Sequence, residues 1–287
     1  MVVQHIPVLL KEMLQLLKPK DGKVYFDGTF GGGGYTKAIL EAATCQVISV
    51  DRDDSVKVVA NEFKAFYQER FAFFHEKFSN IASVVKCKLD GVVLDLGISS
   101  FQLADPLRGF SFNLAGPVDM RMGLCEETAL DVIRMQSEKN LADIIYEFGE
   151  ERFSRRIAKN IKQHLVEIRS TEDLANVIRT CVRGGGRIDP STRTFQALRI
   201  FVNDELEELR KVLRAVVDLL NPGGKILTVS FHSLEDRIIK HFFKELARQN
   251  DGGKFEFLVK KPIVPSKDEM CRNPRSRSAK LRGISVL

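Results

Sequence analysis

The stretch VYFDGTFGGGGYTKAIL, residues 24–40, decides how this chain folds. A short, apolar, β-prone run from Val24 to Phe26 enters four successive glycines, Gly31 to Gly34, and helical spacing follows at Ala38, Ile39 and Leu40. A strand that turns through glycine into a helix opens a nucleotide-type α/β unit, because glycine lets backbone approach a ligand closely. The next apolar run, QVISVD, ends at Asp51, about twenty residues past the glycines. An acidic residue there can accept two hydrogen bonds from ribose hydroxyls.

Outward from this unit the pattern repeats. A helix is predicted over about Ser55 to Tyr67, a strand over Phe71–His75, a helix over about Ser79 to Lys86 and a strand over Asp90–Leu96. Such alternation predicts a parallel sheet with helices on both faces, and the continuous apolar run VVLDL suits a strand buried on both sides. Upstream, an amphipathic helix between Pro7 and Leu17 either covers the sheet or serves a dimer.

The alternation stops near Pro106. From there to about Arg193 the patterns are helical: TALDVIRMQ, KNLADIIYEFGEERFSRRIAKNIKQH, and STEDLANVIRTCV with Ser170 or Thr171 as its cap, closed by the flexible stretch GGGRIDPST. A long helix over about Thr194 to Leu220 leads to NPGG and the strand GKILTVSFHS, and FEFLVK reads as another strand. The sheet domain is therefore discontinuous, residues 1–105 and 194–287, with a helical insertion at 106–193 expected to recognise substrate.

Composition sets outer limits. The 287 residues are 44% hydrophobic and 29% charged, which fits a folded chain with a substantial core. A net charge of +6 permits nucleic-acid binding without requiring it. Cys45, Cys87, Cys125, Cys181 and Cys271 are odd in number and never form CxxC, which argues against disulfides and thiolate metal sites and points to a reducing cytoplasm. His5, His75, His164 and His241 lack paired ligand spacing, so no metal is expected, and the HxE and PCxxC motifs of zinc deaminases are absent. Lys11 and Glu12 interrupt the apolar N-terminus, excluding a signal peptide, and no run is long enough to span a membrane.

Charge discriminates between adenosine cofactors. Gly31 and Gly33 meet the first two positions of the dinucleotide fingerprint, but Thr36 holds the third, and no Walker lysine follows. Asp27 and Asp95 close the first and fourth strands beside the loop. Carboxylates there repel a pyrophosphate and suit a cation. S-adenosyl-L-methionine carries a sulfonium and an ammonium and no phosphate, so it is favoured over NAD.

At these residues the chain also resembles the RsmH (MraW) family, which methylates the N(4) amino group of a cytosine in the decoding region of 16S rRNA. The matching stretches run in order along nearly the whole chain: HIPVLLKE, DGTFGGGGYT, DRD, LDLGISSFQL, RGFSF, GPVDMRM, TFQALRI, LNPGGKI, SFHSLEDRIIK and NPRSRSAKLR. The resemblance implies a class I S-adenosylmethionine methyltransferase, with a Rossmann-like sheet and 16S rRNA, within the small subunit, as partner. By motif position it implies cofactor contacts at Gly33, Gly34, Tyr35, Asp51, Phe78, Asp95 and Gln102. Many relatives carry His at Tyr35, and plain core packing is the alternative for Phe78.

A cytosine amino group is a weak nucleophile, and acceptors on its protons together with alignment to the methyl donor supply most of the activation. Many amino-group methyltransferases use Asn/Asp-Pro-Pro-aromatic at the fourth strand, where this chain has Asp95-Leu96-Gly97-Ile98. Asp95 is the catalytic candidate, with cofactor-ammonium binding as its other reading. Asp119 and His232 are substrate candidates, a structural role being the alternative for His232. The basic segment RNPRSRSAKLR, with Arg272, Arg275, Arg277, Lys280 and Arg282, suits phosphate contacts, although AKLRGISV also reads as a final edge strand. Arg152, Arg155, Arg156, Lys159 and Lys162 form a second basic run, or a solvated helix face. Phe110 and Phe112, with GGGRIDPSTR, are candidates to clamp a flipped-out base. The remaining alternatives are a non-catalytic rRNA-binding assembly factor and a NAD-dependent oxidoreductase.

Overall fold

Each central strand divides its side chains between two helical layers, which is why the apolar runs are continuous. The computed structural model describes residues 7–182, 189–248 and 254–287. The chain clusters into two units, Met1–Gly97 with Leu206–Leu287, and Ile98–Glu205.

In the first unit α1 (Leu10–Leu17) precedes β1 (Val24–Asp27), α2 (Gly34–Ala42), β2 (Gln46–Asp51), α3 (Lys57–Tyr67), β3 (Phe71–His75), α4 (Ile81–Val84) and β4 (Leu89–Asp95). Tyr25, Val47 and Val93 face a layer built by α1, α2 and α3, while Phe26, Val50, Val92 and Leu94 face the opposite layer, where Ile81 packs. Met13 and Leu17 of α1 are buried in the first layer, and Lys225 Nζ meets the carbonyls of Leu16 and Leu17 at 2.7 and 2.9 Å. The amphipathic N-terminal helix thus covers the sheet, with a cation at its negative end.

The second unit is helical: α5 (Ser100–Ala104), α6 (Ala129–Met135), α7 (Glu138–Gly149), α8 (Ser154–Gln163), α9 (Thr171–Cys181) and α10 (Ser191–Asn203). Its core gathers Ile133, Leu141, Ile145, Ile157, Ile178 and Leu198. Ser170 caps α9 in a capping box with Asp173, and Thr128 and Asp131 do the same for α6. The run 139–164, read as one pattern, breaks at Glu150, whose φ is 50°. Of the expected flexible stretch GGGRIDPST, 184–192, residues 184–188 lie outside the described residues.

The chain returns to the sheet through α11 (Glu205–Val217), β5 (Leu220–Ser230), α12 (Ser233–Arg248), β6 (Phe255–Phe257), α13 (Lys267–Arg272) and β7 (Lys280–Val286). The single helix expected over 194–220 is two, broken at Asp204 with φ 51°. The α10 half buries Phe195 and Leu198 in the helical core, so the helical unit ends later than the expected 193, and it begins at Ile98 rather than at 106.

The sheet order is β3-β2-β1-β4-β5-β7-β6. Pairings from β3 to β5 are parallel, and β7 is antiparallel to both neighbours. Strand β7 is therefore not an edge, contrary to the edge-strand reading of AKLRGISV. After β1 the chain winds outward to β3 and then returns to β4 on the other side of β1. Ligands of such sheets bind at the carboxyl ends beside this reversal.

Candidate functional site

Asp51, Asp27 and Asp95 end β2, β1 and β4, three neighbouring strands, and so share one stretch of the carboxyl edge. Their environments differ. Asp27 is fully buried, accepting the Thr36 hydroxyl at 2.7 Å and the Thr29 amide at 3.1 Å. Burial raises its pKa, and these bonds oppose the rise. Asp27 thus ties β1 to the first turn of α2 through these bonds, while its charge still reaches Asp51 and Asp95. Thr36, which broke the dinucleotide fingerprint, is required by this lattice, since its hydroxyl also meets Ser49 Oγ at 2.8 Å.

Asp51 holds the loop from the other side. Its Oδ2 accepts the Gly31 amide at 2.8 Å and its Oδ1 the Asp53 amide at 2.9 Å. Burial pushes its pKa to about 6, with the Asp53 and Gly31 amides pulling back and the charges of Asp53 and Asp27 adding to the rise. A carboxylate so oriented keeps further lone pairs for a diol.

Asp95 is the outlier. Its amide donates to Thr29 Oγ1 at 2.8 Å, but its Oδ1 is buried with no hydrogen-bond partner among the described residues. Burial, then the charges of Asp27 and Glu235, hold its pKa well above the carboxylate range. Leaving a buried carboxyl oxygen unpaired is costly, so such an atom marks a place where a donor group or cation belongs.

Glu235 was not singled out in the sequence. It is buried, and its Oε2 accepts the amides of Phe231 and His232 at 2.8 and 3.3 Å, closing the entrance to α12. The carboxylate three residues into HSLE was the available signal, as a helix-start pattern. His232 Nε2 lies 3.1 Å from Glu235 Oε1 without forming a hydrogen bond, and its Nδ1 receives the Glu235 amide at 3.4 Å. Its visible contacts are therefore with the α12 entrance.

The glycines serve packing as well as approach. Gly33 has φ 75°, and a Cβ there would lie 2.5 Å from the Phe63 ring; at Gly34 a Cβ would meet Pro7 Cγ at 2.2 Å. Phe63 belongs to an aromatic cluster with Phe30, Tyr67 and Phe71 at centroid distances of 5.2 to 5.6 Å. Gly33→Ala is expected to lower stability by about 1–3 kcal/mol, read as a lower denaturant midpoint. Gly31→Ala, whose Cβ has nothing nearer than 3.9 Å, should lose less; equal losses would reject the packing account. The Tyr35 side chain is buried and its hydroxyl donates to the Val8 carbonyl, which occupies the hydroxyl within the fold. Phe78 is half-buried, with its Cβ 3.2 Å from where a Cβ on Gly28 would stand, at the end of β1.

Candidates in the helical unit have visible local work. Gln102 is buried and completes the capping box of α5, its Oε1 accepting the Ser99 amide at 3.0 Å. Asp119 binds Arg121 in bidentate fashion, both contacts at 2.8 Å, which holds its pKa below the usual range. Phe110 is buried in the helical core, against its expected base-stacking role, while Phe112 is partly buried and packs edge-on against Phe195 at 5.2 Å. Lys162 caps α6 at the Ile133 carbonyl, and Arg152 lies over the Phe153 ring.

The basic C-terminal segment splits in two. Arg275 and Arg277 are exposed in a 3-10 turn and have no ion pair among the described residues. Lys280 and Arg282 clamp Asp236 at 2.8 and 2.7 Å, so these two cations join β7 to α12 and are not free for phosphates, contrary to expectation.

Comparisons agree with this architecture. The family model described as the MraW methylase family matches residues 2–287. A protein of Ehrlichia canis named ribosomal RNA small subunit methyltransferase H is 48% identical, covering 98% of this chain and 99% of that one. Its namesake from Acidiphilium cryptum is 45% identical over 99% of this chain and 98% of its own. A crystal structure from Clostridium thermocellum, provisionally described as an rRNA methylase, aligns with a TM-score of 0.50 at 13% identity, over 98% of this chain and 99% of that one. One from Streptococcus mutans, provisionally described as a methyltransferase and crystallised with SAH, gives 0.50 at 10% identity, over 98% and 99%. The fold is the Rossmann-like sheet of the class I methyltransferases.

Proposed function

Because this chain belongs to the MraW methylase family, we propose that it methylates the N(4) amino group of a cytidine in the decoding region of bacterial 16S rRNA. The methyl donor is S-adenosyl-L-methionine. The observation that carries the reading is the buried Oδ1 of Asp95 beside the glycine loop, unpaired among the described residues, on an edge that also bears Asp51. An unmet acceptor there fits a ligand rich in cationic charge and N–H donors and disfavours a diphosphate. The names of the relatives support small-subunit rRNA as the substrate. No helix among the described residues is long and apolar enough to cross a membrane.

When bound, S-adenosyl-L-methionine supplies an electrophilic methyl group on a sulfonium. Asp51 accepts the ribose hydroxyls, Phe78 packs against the adenine, and the loop from Gly31 to Tyr35 offers backbone. Asp95 accepts N–H groups, either from the ammonium of the donor or from the cytidine amino group. In the second case it favours the pyramidal, nucleophilic nitrogen; the proton shed after N–C bond formation leaves to solvent. Orientation supplies most of the remaining rate. Arg275 and Arg277 contribute phosphate contacts that position the RNA without reading its sequence.

The test is transfer of labelled methyl to small subunits from cells lacking this modification, followed by nucleoside mass spectrometry. N(4)-methylated cytidine, formed with protein and absent without it, is the expected product. Label on another base, on DNA or on protein rejects the substrate, and no transfer at all favours a non-catalytic assembly factor.

A further inference from the structure

Helices α11 and α12 lie side by side over one face of the sheet. Helix α11 leads into β5 and α12 leaves it, so both descend from the carboxyl edge toward the amino edge. Between them is a groove with a cavity of about 460 Å³. Its floor is apolar, formed by Leu213, Ile238 and Phe242, the last two only partly buried. Arg210, Arg214 and Arg237 rim it, and a second cavity of about 410 Å³, sharing His241 and Glu245, continues it past Lys244 and Arg248.

The charge is one-sided. Five Arg and Lys side chains face one carboxylate, Glu245, along the two cavities. All five are exposed, and Arg214, Lys244 and Arg248 have no ion pair among the described residues. A merely solvated helix pair interleaves acids with bases at helical spacing. Here positions 237, 241, 244 and 248 put Arg, His, Lys and Arg on one face of α12. From Arg237 to Arg248 the helix rises about 16 Å, beginning near the carboxyl edge. A cationic rim over an apolar floor matches a strand whose phosphates lie outward and whose bases meet a hydrophobic surface.

We propose that this groove binds a single-stranded segment of the RNA substrate, away from the methyl-transfer site, with phosphates on Arg214, Lys244 and Arg248 and a base against Phe242. The proposal deepens the rRNA reading above and rests on it. An acidic protein segment would meet the rim but has less use for a floor that accepts flat bases.

The experiment uses the full chain, a labelled single-stranded RNA of about 12 nucleotides, and the double variant Arg214→Glu/Lys244→Glu, whose exposed positions leave the core intact. RNA affinity should fall at least about tenfold, and the slope of log Kd against log salt should drop by about one or more. The KM for small subunits should rise while kcat and S-adenosyl-L-methionine affinity hold. Phe242→Ala, checked for folding by thermal melt, should weaken RNA with the salt slope unchanged. RNA affinity and slope unaltered in the double variant overturn the proposal. So does loss of binding confined to a labelled polyglutamate probe, which would assign the groove to an acidic protein. Failure of the activity reading is separate: wild-type protein would then transfer no methyl to RNA, whatever the groove variants bind.

Discussion

Asp95→Ala should yield a protein that unfolds less readily and transfers methyl groups roughly 10²–10³-fold more slowly, the scale of removing one preorganised electrostatic contact from an active site. The two effects have one cause. Asp95 buries a carboxyl oxygen that has no partner among the described residues, and Asp27 and Glu235 crowd it with like charge. Removing such a group relieves on the order of 1–3 kcal/mol, which for a chain of this size raises Tm by several degrees. The pH dependence follows from the same shift. The folded pKa lies above the unfolded one, so the folded state holds the extra proton in the window between them. Stability falls as pH rises from about 4 through that window, and the Ala variant loses this slope. Thermal melts across pH and single-turnover methylation read both effects. A variant that loses activity and stability together would make Asp95 a structural residue and remove the carrying observation.

Donor affinity should weaken below pH 6, because Asp51 titrates at about 6 and only its ionised form accepts both ribose hydroxyls fully. Each pH unit below that point cuts the ionised fraction about tenfold, so calorimetry should find S-adenosyl-L-methionine binding about tenfold weaker at pH 5 than at pH 7. Binding near pH 6 should release protons, visible as a dependence of the heat on buffer ionisation. Asp51→Asn should bind weakly and flatly across the range, losing about 10- to 100-fold at pH 7, the scale of charge-assisted hydrogen bonds. Its carboxyl oxygens also hold the Gly31 and Asp53 amides, so the loop shares in the loss. Unchanged affinity in Asp51→Asn would remove the ribose assignment.

Much of the sheet was legible because its signals are local. Apolar runs of strand length, four glycines after the first of them and a carboxylate at the end of the second require no knowledge of distant neighbours. The helical unit was legible in kind but not in extent. Asp204 interrupts a pattern whose apolar spacing continues on both sides, and periodicity carries no mark of a one-residue break into the left-handed region. Phe110 and Phe112 looked available because loops between polar residues are usually exposed. For Phe110, burial in the helical core decided otherwise.

By itself the sequence determined the order of elements, the carboxylates at the strand ends and the family. Tertiary structure decided which charges are free. Lys280 and Arg282 are bound to Asp236, 44 and 46 residues away, while Arg275 and Arg277 are not. Asp27 is satisfied by Thr36 and Thr29, whereas Asp95 keeps an oxygen unmet among the described residues. The reason is physical: secondary structure follows from the spacing of neighbours along the chain, but the state of a charge depends on burial and on partners that only folding brings within hydrogen-bond reach.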